Sequence, residues 1–132
     1  MSPFADHLYS QADIANTLTR AITALGKNYL QPAMYALNDA LGMIQKVHPE
    51  LGKLVAWREG DNLRSGLPTG TYRKASINQE ITEATLCIGR GDYSKAADKV
   101  VRAIRMLVWL ASIKNKVLAV THTPAERQAE GR

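Results

Sequence analysis

The residues that most often carry chemistry are scattered through this chain. Its three histidines, His7, His48 and His122, stand far apart, and its one cysteine, Cys87, has apolar neighbours at helical spacing. A metal site or an activated nucleophile needs several such groups close together. We therefore expect no metal site, no cofactor and no catalytic residue, and we interpret Cys87 as a core thiol.

Two further patterns have suitable residue types without a suitable context. Glu80 and Glu83 stand one helical turn apart, but paired carboxylates on a helix surface are most often solvated. Gly66, Gly70 and Thr71 lack the lysine that a phosphate-binding loop requires. The sequence therefore predicts a protein that is not an enzyme and that takes no small-molecule substrate.

The positive charge is concentrated late in the chain. The formal charge is +5, yet residues 1–89 and residues 117–132 each sum to zero. On a helical projection at about 100° per residue, the basic side chains of the intervening segment fall opposite the apolar ones. A phosphate backbone binds such a stripe because counterions are released, and a tryptophan would add a stacking surface for an unpaired base. The predicted nucleic-acid-binding residues are Lys95, Lys99, Arg102, Arg105 and Trp109, extended by Arg73 and Lys74 if the preceding loop folds towards the last helix.

The same region also fits a protein partner. Tryptophan, methionine and arginine are common anchors of protein interfaces, and residues 107–113 are apolar almost all round. The alternative hypothesis is an adaptor or inhibitor that docks Met106, Trp109, Arg64 and the loop 60–74 onto a protein. Self-association through the last helix is a further expectation, and an enzyme that uses the loop is the least favoured alternative.

The apolar residues of the first half recur every three or four positions, which is typical of amphipathic helices. Ser2 and Pro3 are expected to start the first helix, and Gly26 is expected to end it in a left-handed conformation. Pro32 is expected to open the second helix, and the proline after His48 to stop it.

The second half predicts up to three more helices. Ser76 with Gln79 three residues later fits a capping box. The last helix is expected to be the longest, at roughly 39 Å for a rise of about 1.5 Å per residue. The predicted elements are a third helix at 49–58, a loop at 60–74, a fourth helix from Ser76 to Gly89 and a fifth from Ser94 to Val120.

An offset of 63 residues aligns the chain with itself. Either an internal duplication or the general similarity of two amphipathic hairpins explains the matches, and both give two antiparallel helix pairs. The sequence therefore predicts an all-α, single-domain antiparallel bundle of four to five helices over residues 1–120, with a polar tail at 121–132. The matched pairs include Ile14 with Ile77, Ala21 with Ala84, Gly26 with Gly89, Ala40 with Ala103 and Met43 with Met106.

A single cysteine excludes an internal disulfide and is typical of a reducing compartment. No segment approaches the roughly 20 apolar residues of a spanning helix. We therefore expect a cytoplasmic protein without membrane contact, which acts as a small accessory subunit and contacts nucleic acid within a larger nucleoprotein assembly.

Overall fold

The computed structural model describes residues 10–51, 67, 72–114 and 118. These ranges contain α-helices and no strand, which confirms the predicted all-α bundle. The elements are α1 (Gln11–Gly26), α2 (Leu30–Val47), a short 3-10 turn at Pro49–Leu51, α3 (Lys74–Gly89) and α4 (Tyr93–Ile113).

Neighbouring helices of the bundle run antiparallel. α1 packs against α2 and α3, and α4 packs against α3 and α2. Lys114, just after α4, donates from Nζ to Asn28 Oδ1 of the α1–α2 turn at 3.3 Å. At the other end, the rings of His48 after α2 and Tyr93 at the start of α4 stack with centroids 6.1 Å apart. The α1–α2 hairpin and the α3–α4 hairpin are therefore related by an approximate twofold axis perpendicular to the helices.

The turns of the two hairpins have the same backbone geometry. The left-handed residue is Asn28 (φ 63°) in the first turn and Gly91 (φ 75°) in the second. The prediction that Gly26 takes this conformation is wrong, because the left-handed residue stands two positions later, after the end of the helix. The equivalent hydrogen bonds run from the amides of Lys27 to Thr23 O and of Arg90 to Leu86 O, both at 3.2 Å, and from those of Tyr29 to Ala24 O and of Asp92 to Cys87 O, both at 2.9 Å.

The 63-residue offset also relates the helices of the two hairpins. α1 and α3 start and end 63 residues apart, and so do the starts of α2 and α4. The equivalent positions meet in one core, so the two hairpins are structural repeats that pack on each other. Fully buried pairs include Ile14 and Ile77, Leu18 and Ile81, Leu25 and Ile88, Leu37 and Val100, and Ile44 and Leu107.

The structure corrects the predicted start of the first helix. α1 begins at Gln11, because Ser10 is its extended N-cap and forms a capping box with Asp13. Ser2 and Pro3 lie outside the described residues. α2 begins at Leu30 and not at the predicted Pro32, and it ends at Val47 with His48 as its C-cap, where the proline after His48 was expected to stop it.

The predicted caps of the last two helices are also wrong. The N-cap of α3 is Arg73, and Ser76 lies within the first turn. The N-cap of α4 is Asp92, whose carboxylate accepts the amide of Lys95 at 3.1 Å, in place of the predicted Ser94. An aspartate is as good a cap as a serine, so spacing alone did not decide between them.

α4 is shorter than predicted. It ends at Ile113, so its 21 residues span about 32 Å and the predicted continuation to Val120 is wrong. The third predicted helix is described only at its start, as the 3-10 turn, and residues 52–60 and the tail 121–132 lie outside the described residues. None of the helices in the described ranges is long and apolar enough to cross a membrane.

Candidate functional site

The predicted basic face of α4 is partly turned towards α3. Arg102 donates from Nε to Glu80 Oε1 at 2.7 Å. Lys99 Nζ lies 3.2 Å from Glu83 Oε2 and 3.9 Å from Glu80 Oε1. These four residues therefore form an ion-pair cluster between the two helices. The Glu80 side chain is at the buried side of this cluster, since only 11% of it is exposed. Glu80 and Glu83 are therefore not simply solvated as the sequence suggested, and two of the predicted nucleic-acid contacts have partners within the chain.

The other predicted site residues lie in separate places. Lys95 is exposed at the start of α4, and Arg105 is half-buried further along it. Met106 is 5% exposed and packs in the core, where it is not accessible as an interface anchor. Trp109 is half-buried, and its ring meets that of Tyr72 edge to face with centroids 5.1 Å apart. The predicted face is thus divided along α4.

Arg73 and Lys74 were expected to extend the basic face of α4. Both lie at the start of α3, where Arg73 is exposed and Lys74 is half-buried. Because α3 and α4 are antiparallel, this is the end of the bundle opposite to Lys95. Arg64 lies outside the described residues.

The ion-pair cluster makes the stability of the fold depend on pH in the acid range. The hydrogen bond from Lys99 lowers the pKa of Glu83 below its ordinary value of 4.5, although partial desolvation opposes this. A carboxyl with a lowered folded pKa stabilises the fold above its unfolded pKa and loses that contribution as the pH falls through the folded value.

We expect thermal stability to fall as the pH drops below about 4.5, and Glu83→Gln to remove part of that fall. The measurement is the midpoint of thermal unfolding of both proteins between acid and neutral pH. Asp98→Asn is the matched control, because Asp98 is exposed and forms no ion pair in the described part of the chain. Parallel pH profiles for the Glu83 variant and the parent would contradict the assignment.

The two ends of the bundle differ in charge. We call the end formed by the α1–α2 turn, the start of α3 and the end of α4 the basic end. Its described residues, 21–35, 72–79 and 107–114, contain four basic side chains and no acidic one. In the described part of the chain these four form no ion pair. They are Lys27, Arg73, Lys74 and Lys114.

We call the opposite end the mixed end. Its described residues, 10–16, 44–51 and 86–98, contain three basic and four acidic side chains. The 63-residue offset pairs each of these carboxylates with an uncharged residue of the basic end. The two ends thus share the geometry of the turn between their helices and differ in charge. The pairs are Asp13 with Ser76, Glu50 with Ile113, Asp92 with Tyr29 and Asp98 with Tyr35.

The basic end also exposes apolar side chains. Tyr29 is 58% exposed and Ile113 is 52% exposed. An aromatic ring among unpaired cations is the combination that binds phosphate backbones and exposed bases. Sequence reasoning overlooked Lys27, Tyr29 and Lys114, because Lys114 reaches the turn that contains the other two only through the packing of the two hairpins.

A shallow groove of about 290 Å³ lies on the surface of the α1–α2 hairpin. In the other hairpin the equivalent position of Ala36 is Lys99, whose side chain is in the ion-pair cluster. The groove has one basic and one acidic lining residue, so its charge favours neither sign of ligand. It is lined by Arg20, Ala24, Pro32, Tyr35, Ala36 and Asp39.

No protein-family model, curated protein or solved structure matches this chain. Any function proposed for this chain therefore rests on the arrangement of its side chains. In the described part of the chain, no three His, Cys, Asp or Glu residues are grouped so that they could hold a metal ion.

Proposed function

We propose that this is a non-catalytic nucleic-acid-binding protein that contacts the phosphate backbone with its basic end. The observation that carries the proposal is the charge difference between two ends of the same architecture. Cations without ion pairs keep their full charge for a polyanion, whereas Lys99 and Arg102 already face carboxylates. The proposed interface therefore moves from the face of α4 to Lys27, Arg73, Lys74 and Lys114.

The compartment and the kind of assembly that we propose are those expected from the sequence. The cysteine Cys87 is buried and unpaired, which is compatible with a reducing compartment, so we propose a cytoplasmic protein. A single bundle end offers only a few phosphate contacts, which favours an accessory subunit in a nucleoprotein assembly over a protein that binds alone with high affinity.

The test is a salt titration of binding to a fluorescently labelled duplex. The basic-end variant replaces Lys27, Arg73 and Lys114 with glutamine, and the matched control replaces Lys46, Arg90 and Lys95 of the mixed end. Both variants lower the formal charge from +5 to +2. Each lost phosphate contact reduces the slope of log affinity against log salt by about 0.9, so we expect the basic-end slope to flatten by about 2 to 3. The control slope should stay close to that of the parent.

Three outcomes would contradict the proposal. Equal effects of the two variants would show that binding follows net charge and not the basic end. A larger effect of the mixed-end variant would return the interface to Lys95 and the face of α4. Absence of binding by the parent at low salt would favour the alternative, an adaptor or inhibitor that docks onto a protein.

A further inference from the structure

Tyr29 is an exposed aromatic residue in the α1–α2 turn of the basic end. It is the N-cap residue of α2, and its side chain makes no capping hydrogen bond. The preceding residue, Asn28, accepts a hydrogen bond from Lys114 at 3.3 Å, which brings an ammonium group to the same turn. Lys27 is exposed on the other side of Asn28 in this turn. The ring of Tyr29 is therefore accessible, and the turn that contains it includes Lys27 and is contacted by Lys114.

The turn of the second hairpin has a residue that stabilises the following helix at the position equivalent to Tyr29. Asp92 occupies the equivalent position with the same backbone hydrogen bond, at 2.9 Å in both turns. Its carboxylate caps α4 by accepting the amide of Lys95. Aspartate and serine are among the preferred N-cap residues, whereas large aromatic residues are not. Capping of α2 therefore does not account for an aromatic residue at position 29.

We infer that Tyr29 stacks on an unpaired base, so that the basic end prefers single-stranded to double-stranded nucleic acid. The inference rests on the proposed function, because Lys27, Arg73 and Lys114 supply the backbone contacts. A base in a duplex is already stacked on both faces, whereas a base in a flexible strand can turn one face to a tyrosine ring. Trp109 is less suited to this contact, because it is half-buried and its ring already meets that of Tyr72.

The test compares a labelled oligothymidylate with a duplex of the same length. Tyr29→Ser removes the ring, leaves the charge unchanged and supplies a favourable cap, so the protein should fold at least as stably as the parent. We expect its affinity for the single strand to fall about tenfold, the effect of losing one base–aromatic stack, and its duplex affinity to stay the same. Tyr29→Trp should keep or raise the single-strand affinity.

Leu86→Ser is the matched control, because Leu86 is 54% exposed and lies on α3 towards the mixed end. It should leave both affinities unchanged. An unaltered ratio of single-strand to duplex affinity in Tyr29→Ser would overturn the stacking inference while the salt dependence still supported backbone binding. Absence of salt-dependent binding to either probe by the parent would overturn the proposed function and the inference together. Should Tyr29→Ser fail to fold, a loss of single-strand affinity in Tyr29→Trp would overturn the inference by itself.

Discussion

Leu107→Ala is expected to lower the free energy of unfolding by about 2–5 kcal/mol. Leu107 is fully buried, and alanine would remove its apolar contacts and leave a cavity that the helices close only in part. Small domains are stable by about 5–15 kcal/mol, so this one change would remove a large share of the total. The measurement is urea unfolding followed by the helical circular dichroism signal.

The approximate twofold axis provides a second position at which the same loss of stability is expected. Ile44 is equivalent to Leu107 and is also fully buried, so Ile44→Ala should cost a similar amount. Leu86→Ala is the control, because an exposed side chain should change stability by no more than about 0.5 kcal/mol. A small cost at Ile44 beside a large cost at Leu107 would show that the two hairpins do not share the core equally.

The helices could be predicted from the sequence because apolar spacing is a local property. The stripe that includes Leu18, Ile22 and Leu25 identifies α1 without knowledge of its neighbours, and the offset of 63 residues predicts a matching α3. Helix ends were less predictable because several capping residues compete. Ser10 and Asp92 cap α1 and α4 in the structure, where Ser2 and Ser94 had equally suitable residue types.

The binding surface could not be predicted in the same way because it depends on which helices meet. The charge excess after residue 89 suggested that α4 is the basic element, but part of that charge is balanced by α3. Lys27 and Arg73 come from the part of the chain that sums to zero and still lie at the basic end. Net charge along a sequence therefore says little about charge on a surface until the packing is known.

The ion-pair cluster did leave a signal in the sequence. Residues at equal distances on either side of a turn face each other in an antiparallel helical hairpin. Glu80 and Arg102 are each eleven residues from Gly91, and Glu83 and Lys99 are each eight residues from it. A search for opposite charges at matched distances from the predicted turn would have found both pairs. A projection of α4 alone could not.

Glu80→Ala is expected to be the most destabilising single change among the charged residues of the described ranges. Its carboxylate contacts Lys99 and Arg102, whose side chains are 24% and 35% exposed. Breaking a fully buried ion pair costs about 3–5 kcal/mol and breaking an exposed one at most about 1 kcal/mol. Partial exposure of the two cations places the expected loss between these limits, at about 1–3 kcal/mol, measured by urea unfolding. Asp98→Ala is the control, because Asp98 is exposed on α4 and forms no ion pair in the described part of the chain.

Neutralising both glutamates should also create a second basic surface. In the double variant Glu80→Gln and Glu83→Gln, Lys99 loses the carboxylates of Glu80 and Glu83, Arg102 loses that of Glu80, and the formal charge rises from +5 to +7. Nucleic-acid affinity should then increase with a steeper salt dependence, because up to two more phosphates can be neutralised. Glutamine has the same shape as glutamate and can still form hydrogen bonds, so the helices should still pack.

If the affinity of the double variant equals that of the parent, Lys99 and Arg102 contact nucleic acid in neither protein. If instead the single variant Lys99→Gln binds nucleic acid more weakly than the parent, the glutamates do not prevent Lys99 from contacting phosphates. The face of α4 would then belong to the interface.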